Sequence, residues 1–457
     1  MLIPPKKVYE QDKLVYEKNK KCVIILNGDN MKVFFHTLGC KVNQYETQEM
    51  IELFENAGHT IIYKSLGADI CVINSCTVTA ESVRKTRQTI RKLKKQNPDS
   101  IVILTGCASQ AEPHIINDLP EVDILMGNRS NTTVIDALNN FIETKSFCNN
   151  YIEHKTGDAF SGTGISRFDG HTRAFLKIQD GCDRFCSYCL IPMARGRSRS
   201  KALDDIDKEL KILSENGYKE IVFVGINLSD FGKNTPYSLP DALILAEKYS
   251  EIERVRLGSL EPDHITDEMI AGLKKVTKLC PQFHISVQSG CNNVLKAMNR
   301  HYTAEEYEEL AKKLRSTFDD ATITTDVLVG FPTESEEDFK TTCEFVKRIG
   351  FEKVHVFPYS VREGTRAEKM NQLTKAVKES RAATLSKITD EIRKDYLKKQ
   401  KGKTVSVLFE LYKDGYSEGY TENYTPVRIY TDKDYKGEIK NVVITDVGDD
   451  WCVGEIE

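Results

Sequence analysis

The chain has 457 residues, of which 40% are hydrophobic and 29% charged, a balance that allows about three domains with their own cores. No stretch reaches the ~18 apolar residues of a membrane helix, and the N-terminus lacks the apolar core of a secretory signal, which points to the cytoplasm. The net charge of −4 gives no global attraction to nucleic acid, so an RNA-binding surface must be local, and thirteen cysteines in a reducing compartment favour metal or catalytic chemistry over disulfides.

In chain order, residues 1–30 are polar and read as a tail or upstream extension, with a short strand at 22–26 as the alternative. From 31 to 147, expected strands at 32–38, 69–74 and 101–105 alternate with expected helices at 46–57, 82–96 and 133–145. That alternation predicts an α/β domain on a parallel sheet. A glycine-rich polar stretch, 148–171, reads as a linker. A second α/β region, 172–370, carries six strand candidates: 173–179, 221–224, 254–258, 283–287, 322–329 and 353–358. Six units fall short of the eight of a closed barrel, so a partial (β/α)6 barrel is expected. Residues 371–400 contain one connecting helix, and 401–457 show short alternating strands suited to a small all-β barrel.

Two sets of cysteines carry the chemistry. The segment RAFLKIQDGCDRFCSYCLIPMARGRSRS holds C-x3-C-x2-C at Cys182, Cys186 and Cys189. Three thiolates on one loop can hold three corners of a [4Fe–4S] cube and leave the fourth iron open to a ligand. A zinc knuckle is the plain alternative, with His171 as its local fourth ligand. In the first domain Cys40, Cys76 and Cys107 each follow the C-terminal end of an expected strand, the edge at which open α/β sheets bind ligands. They can ligate a second cluster, or be ordinary small residues in βα turns. Cys71 lies within its strand and reads as core, and Cys291 as packing.

The cysteine loop resembles that of radical S-adenosylmethionine enzymes. That resemblance implies an open iron that chelates the methionine end of the cofactor and a 5′-deoxyadenosyl radical made by reductive cleavage. It implies a cofactor site at the strand ends, where Asn227, Asp230, Ser259, Glu261, Gln288 and Asp326 are the candidates. Taken singly, each also suits a cap or turn, and Asp326, an acid within an apolar strand, needs a partner.

The strings TLGCKVNQYET, RLGSLEP, HISVQSGCNNVLKAMNRHYT, DVLVGFPTESEEDF and FPYSVREGTRA together resemble the methylthiotransferases over nearly all the chain after Met31. The terminal GYTENYTPVRI is similar to the small RNA-binding barrel called TRAM. The family resemblance implies that Cys40, Cys76 and Cys107 hold an auxiliary [4Fe–4S] cluster, that S-adenosylmethionine supplies both methyl group and radical, and that the substrate is a tRNA anticodon loop. An electron donor and a sulfur donor are implied as partners. TLGCKVNQYET is most similar to the branch acting on threonylcarbamoyladenosine; the isopentenyladenosine branch usually reads GCQMN there. GCASQ and GFPTES depart from the usual pattern without removing a cysteine. A non-catalytic iron–sulfur redox sensor that binds RNA is the alternative from another class.

For RNA, ARGRSRSK offers Arg195, Arg197 and Arg199 directly after the cluster loop, and the helix VRKTRQTIRKLKK is basic without an acid. Either run can equally be a solvated face. In the terminal barrel Tyr424 and Arg428, with Tyr420, suit stacking on unpaired bases, or are ordinary strand residues.

Overall fold

The computed structural model describes residues 30–457 throughout and, before them, only the strands Val15–Lys18 and Lys21–Ile24, paired antiparallel. The tail reading of residues 1–30 and its alternative strand at 22–26 otherwise lie outside the described residues. Among the described residues, no helix is long and apolar enough to cross a membrane.

The first domain is a six-stranded, all-parallel sheet in the order Thr60–Ile62, Lys32–Thr37, Ile70–Ser75, Ile101–Gly106, Ile124–Met126, Cys148–Asn150. Its central strand ICVINS is buried at every position, as expected for a strand with helices on both faces. Two apolar layers flank the sheet, one around Ile90 and Leu104, the other around Met50, Phe54 and Leu138. Helices Lys41–Asn56 and Cys107–Ala111 begin directly at the strand ends, earlier than the hydrophobic pattern alone suggests.

The central domain is an open barrel of parallel strands. Arg173–Lys177, Glu220–Val224 and Arg254–Leu257 form one wall. Ser259–Leu260, Gln282–Ile285, Thr322–Val329 and Lys353–Pro358 form the other. The chain crosses from one wall to the other at Gly258, whose N–H still bonds the Phe223 carbonyl at 2.8 Å. One large core fills the space between strands and outer helices. The open side faces helix Lys41–Asn56 of the first domain: Lys177 reaches Glu46 at 2.6 Å across the junction.

Helix Lys375–Lys398 leads to a closed barrel of five strands, one more than the sequence pattern suggests. The added strand, Cys452–Ile456, pairs with Pro426–Tyr430 and Ile439–Val447 and closes the sheet. Residues 421–426 of this TRAM-like barrel plug the base of the central one. Arg256 donates to the Glu422 carbonyl at 2.8 Å, Arg254 to the Tyr420 carbonyl at 3.3 Å, and Thr322 to the Asn423 carbonyl at 2.7 Å.

Candidate functional site

Strand-to-helix turns deliver the first set of cysteines. Cys40 caps helix Lys41–Asn56, Cys76 follows strand Ile70–Ser75, and Cys107 opens helix Cys107–Ala111. Asn43 sits among them: its Oδ1 accepts from the Cys40 thiol at 3.4 Å and lies 3.9 Å from the Cys107 sulfur, while its Nδ2 donates to the Ser75 carbonyl at 2.9 Å. The turn before Cys107 requires glycine. Gly106 has φ +99°, and a Cβ there would stand 2.4 Å from the Ser75 backbone. Three separate strands thus place three thiols at one edge.

The loop of Cys182, Cys186 and Cys189 follows the first barrel strand and is shaped by Gly181, at φ +75°, where a Cβ would meet the Arg197 carbonyl at 2.0 Å. Burial, with the neighbouring cysteines of each set adding to it, pushes the thiols of Cys107, Cys182 and Cys189 up to about 12. Thiols so placed become thiolates when a cation compensates them, as a metal does. The twelve cysteines from Cys40 to Cys452 are all free. Among the described residues, no three His, Cys, Asp or Glu side chains are gathered to hold a single ion. His171 packs on Phe168 and Phe175 before the first barrel strand, so it does not supply the fourth ligand of a zinc knuckle.

Arg300, which the sequence reading missed, joins the loop to the strand ends. Its guanidinium donates to the Cys186 sulfur at 3.2 Å and pairs with Glu261 at 2.7 Å. Arg184 pairs with Glu261 at 3.4 Å and with Asp263. Beside this cluster the side chain of Asn227 is buried with neither its oxygen nor its nitrogen hydrogen-bonded, and Asp230 bonds His264 at 2.8 Å through one oxygen while the other is unpartnered. Buried polar atoms without partners mark a place for a polar ligand. Asn227 and Asp230 flank Ser229, whose hydroxyl accepts from the Glu261 N–H at 2.8 Å, and Glu261 in turn reaches the cysteine loop through Arg300.

Ser259 and Asp326 line a different space, a cavity of about 740 Å³ inside the barrel. Although burial pushes the Asp326 carboxyl up, His284 at 3.2 Å and Ser286 at 3.1 Å hold it below the usual range, so it has the partner an acid in an apolar strand needs. Gln288 takes φ +65° and bridges by its backbone to Asp326 and Leu328, which makes it a turn residue of the wall. The same cavity is walled by Cys40 and Lys41 of the first domain and by Tyr420 and Tyr424 of the terminal barrel. All three domains meet on it.

The arginine run requires a correction. Arg195 is fully buried rather than set at an RNA-facing surface. It pairs with Glu46 at 2.6 Å and Asp180 at 3.1 Å, and its Nε donates to the Cys107 sulfur at 3.2 Å. Arg199 is also drawn inward, to Asp180 at 3.1 Å and the Arg195 carbonyl at 2.6 Å. Arg197 alone remains outside, over the exposed ring of Phe185 at 4.6 Å. In the terminal barrel Arg428 is held by Glu418 and lies 3.8 Å from the Trp451 ring centre, so it is tied into the barrel's surface. Tyr424 stacks on Tyr420 at 4.6 Å, with Arg173 at 5.1 Å and Arg256 at 4.8 Å from its ring.

Comparison with known proteins agrees with this layout. Residues 176–346 match the radical SAM superfamily, and residues 32–127 match the uncharacterised protein family UPF0004. The threonylcarbamoyladenosine tRNA methylthiotransferase MtaB of Aquifex aeolicus is 38% identical, over 83% of this chain and 92% of its own length. That of Bacillus subtilis is also 38% identical, over 83% of this chain and 84% of its own. The tRNA-2-methylthio-N(6)-dimethylallyladenosine synthase of Alkaliphilus oremlandii is 33% identical, over 90% of this chain and 88% of its own. Among solved structures, the radical S-adenosylmethionine methyltransferase TsrM of Kitasatospora setae, with cobalamin and a [4Fe-4S] cluster bound, shares the fold. Its TM-score is 0.53 at 13% identity, over 74% of this chain and 77% of that one. The chain belongs to the radical SAM tRNA methylthiotransferase family.

Proposed function

We propose that this enzyme adds a methylthio group to C2 of N6-threonylcarbamoyladenosine next to the anticodon of tRNA. The observation that carries the reading is the shared cavity: Cys40 on one wall, the barrel lumen on the second, and the stacked Tyr420 and Tyr424 on the third. A base entering it meets an auxiliary cysteine and an aromatic platform together, as unpaired RNA bases require. The curated relatives named for threonylcarbamoyladenosine support the substrate.

The residues fit two [4Fe–4S] clusters, one on Cys182, Cys186 and Cys189 and one on Cys40, Cys76 and Cys107. When bound, the first cluster with S-adenosylmethionine supplies radical and methyl chemistry, and the second supplies sulfur. The chain's own residues set the stage for that chemistry. Asn227 and Asp230 offer unsatisfied polar atoms to the cofactor, and Glu261 fixes Arg300 against the Cys186 sulfur. Arg195 places a fixed positive charge on the Cys107 sulfur and locks it to both domains. The barrel walls and residues 421–426 close the lumen at its base, and a bound substrate would fill the rest and shield a reactive radical from water. An electron donor, a sulfur donor and a cytoplasmic setting complete the proposal.

The test is anaerobic incubation of the cluster-loaded chain with S-adenosylmethionine, a reductant and anticodon stem–loop RNA bearing either threonylcarbamoyladenosine or isopentenyladenosine. Nucleoside mass spectrometry should show the methylthio product from the first RNA, with 5′-deoxyadenosine released. Product from the isopentenyl RNA alone would overturn the substrate. Absence of 5′-deoxyadenosine would overturn the radical reaction and favour a sensor.

A further inference from the structure

The shared cavity contains a cation for which the protein supplies no anion. Lys41 opens the helix after Cys40, is half-buried and lines the cavity. Its ammonium lies 5.7 Å from the Phe175 ring centre. The other lysine and arginine on the lining, Lys353 and Arg393, are paired with Asp450 at 2.6 and 2.8 Å. Lys41 is the one such cation on this lining, among the described residues, without an ion pair.

The surroundings sharpen the imbalance. Glu220, a buried acid whose charge acts on Lys41, is already shared by Arg256 at 2.8 Å, Arg173 at 3.7 Å and Arg254 at 3.8 Å. Arg173 also holds Glu410. A charge withdrawn from water without a partner is costly, and a ligand of opposite sign relieves that cost. Tyr420 and Tyr424, on the same lining, give the cavity an aromatic wall.

We propose that Lys41 receives the carboxylate of the threonyl group on the target adenosine and so sets the enzyme's preference for the charged base over the isopentenyl one. This rests on the function proposed above. A polar contact left unmet by the wrong substrate is an effective basis for rejection. A phosphate of the RNA backbone has the same charge, and the experiment separates the two.

The full chain, loaded with clusters without oxygen, is titrated by fluorescence anisotropy with four anticodon stem–loop RNAs. They differ only in the target base: adenosine, threonylcarbamoyladenosine, its methyl ester and isopentenyladenosine. The wild type should bind the free acid about tenfold or more tighter than the ester. Lys41→Gln should remove that difference and leave the ester and plain adenosine unchanged, and Lys41→Arg should restore part of it. Iron content and circular dichroism equal to the wild type confirm an intact variant. Equal weakening of all four RNAs by Lys41→Gln would assign the lysine to a phosphate and overturn the proposal, as would an undiminished preference for the acid. Turnover of the wild type on the same RNAs reports the function separately, since binding preference is read without any reaction.

Discussion

Replacing Arg195 by Met would leave Glu46 buried with Lys177 alone, 2.6 Å away, and Asp180 with Lys177 at 2.8 Å and Arg199 at 3.1 Å. Breaking such a network by removing one partner costs about 3–5 kcal/mol. The expected outcome is a lower denaturation midpoint for Arg195→Met, and an unchanged midpoint would show that the network contributes nothing. Glu49 gives a pH signature. Burial pushes its carboxyl up to about 7, with Glu209 and Glu46 adding to the effect against Lys177 and Lys201. An acid whose folded value lies above its usual 4.5 binds more protons folded than unfolded across that interval. Its contribution is therefore full below 4.5 and is lost as pH rises to about 7. Glu49→Gln keeps an oxygen to accept from the Thr163 and Gly164 N–H groups, at 2.8 and 3.1 Å in the wild type. Urea midpoints measured at about pH 5 and about pH 8 should differ less in this variant than in the wild type; an equal or larger difference would contradict the assignment. The role of Arg195 was hidden in the sequence because alternating arginines look alike on a solvated face and in an ion network. Its partner Glu46 lies 149 positions away along the chain.

At the scale of elements, the strongest strands and helices were legible, because buried parallel strands are continuous apolar runs and the helices carry a clear apolar face. The strand ends bearing Cys40, Cys76 and Cys107 were visible for that reason. Short strands were not: Thr60–Ile62, Ile124–Met126 and Cys148–Asn150 have three residues each and Ser259–Leu260 has two, too few to show any period. The fifth strand of the terminal barrel follows a turn at the very end of the chain and is defined by its pairing on two sides. The turn before Cys107 makes a prediction at this scale. Gly106→Ala forces a methyl group to within 2.4 Å of the Ser75 backbone at φ +99°, so the turn must open and move Cys107. The variant should bind less iron than the wild type while retaining the signal of the Cys182 cluster. Full iron loading would show that the turn tolerates the side chain.

At the scale of the molecule, three chain segments meet on one cavity, and no local pattern announces that meeting. The terminal barrel could be recognised as a separate unit from its alternating strands, yet its placement under the central barrel depends on Arg254 and Arg256 reaching carbonyls some 166 positions on. The two sets of cysteines stand out by loop spacing in one domain and by strand ends in the other. The polar residues at the strand ends were less legible: Glu261 reaches the loop through Arg300, with Asp230 and Asn227 beside it, while Ser259 and Asp326 face the lumen and Gln288 serves the wall. A polar residue at a strand end does not reveal which side of the barrel it serves. The central claim is that two clusters serve this arrangement, and its most direct test is the iron and sulfide content of the chain purified without oxygen. The account predicts about eight irons per chain, falling to about four when Cys40, Cys76 and Cys107 are all replaced by Ala. About four irons in the wild type, or no fall in the triple variant, would contradict it.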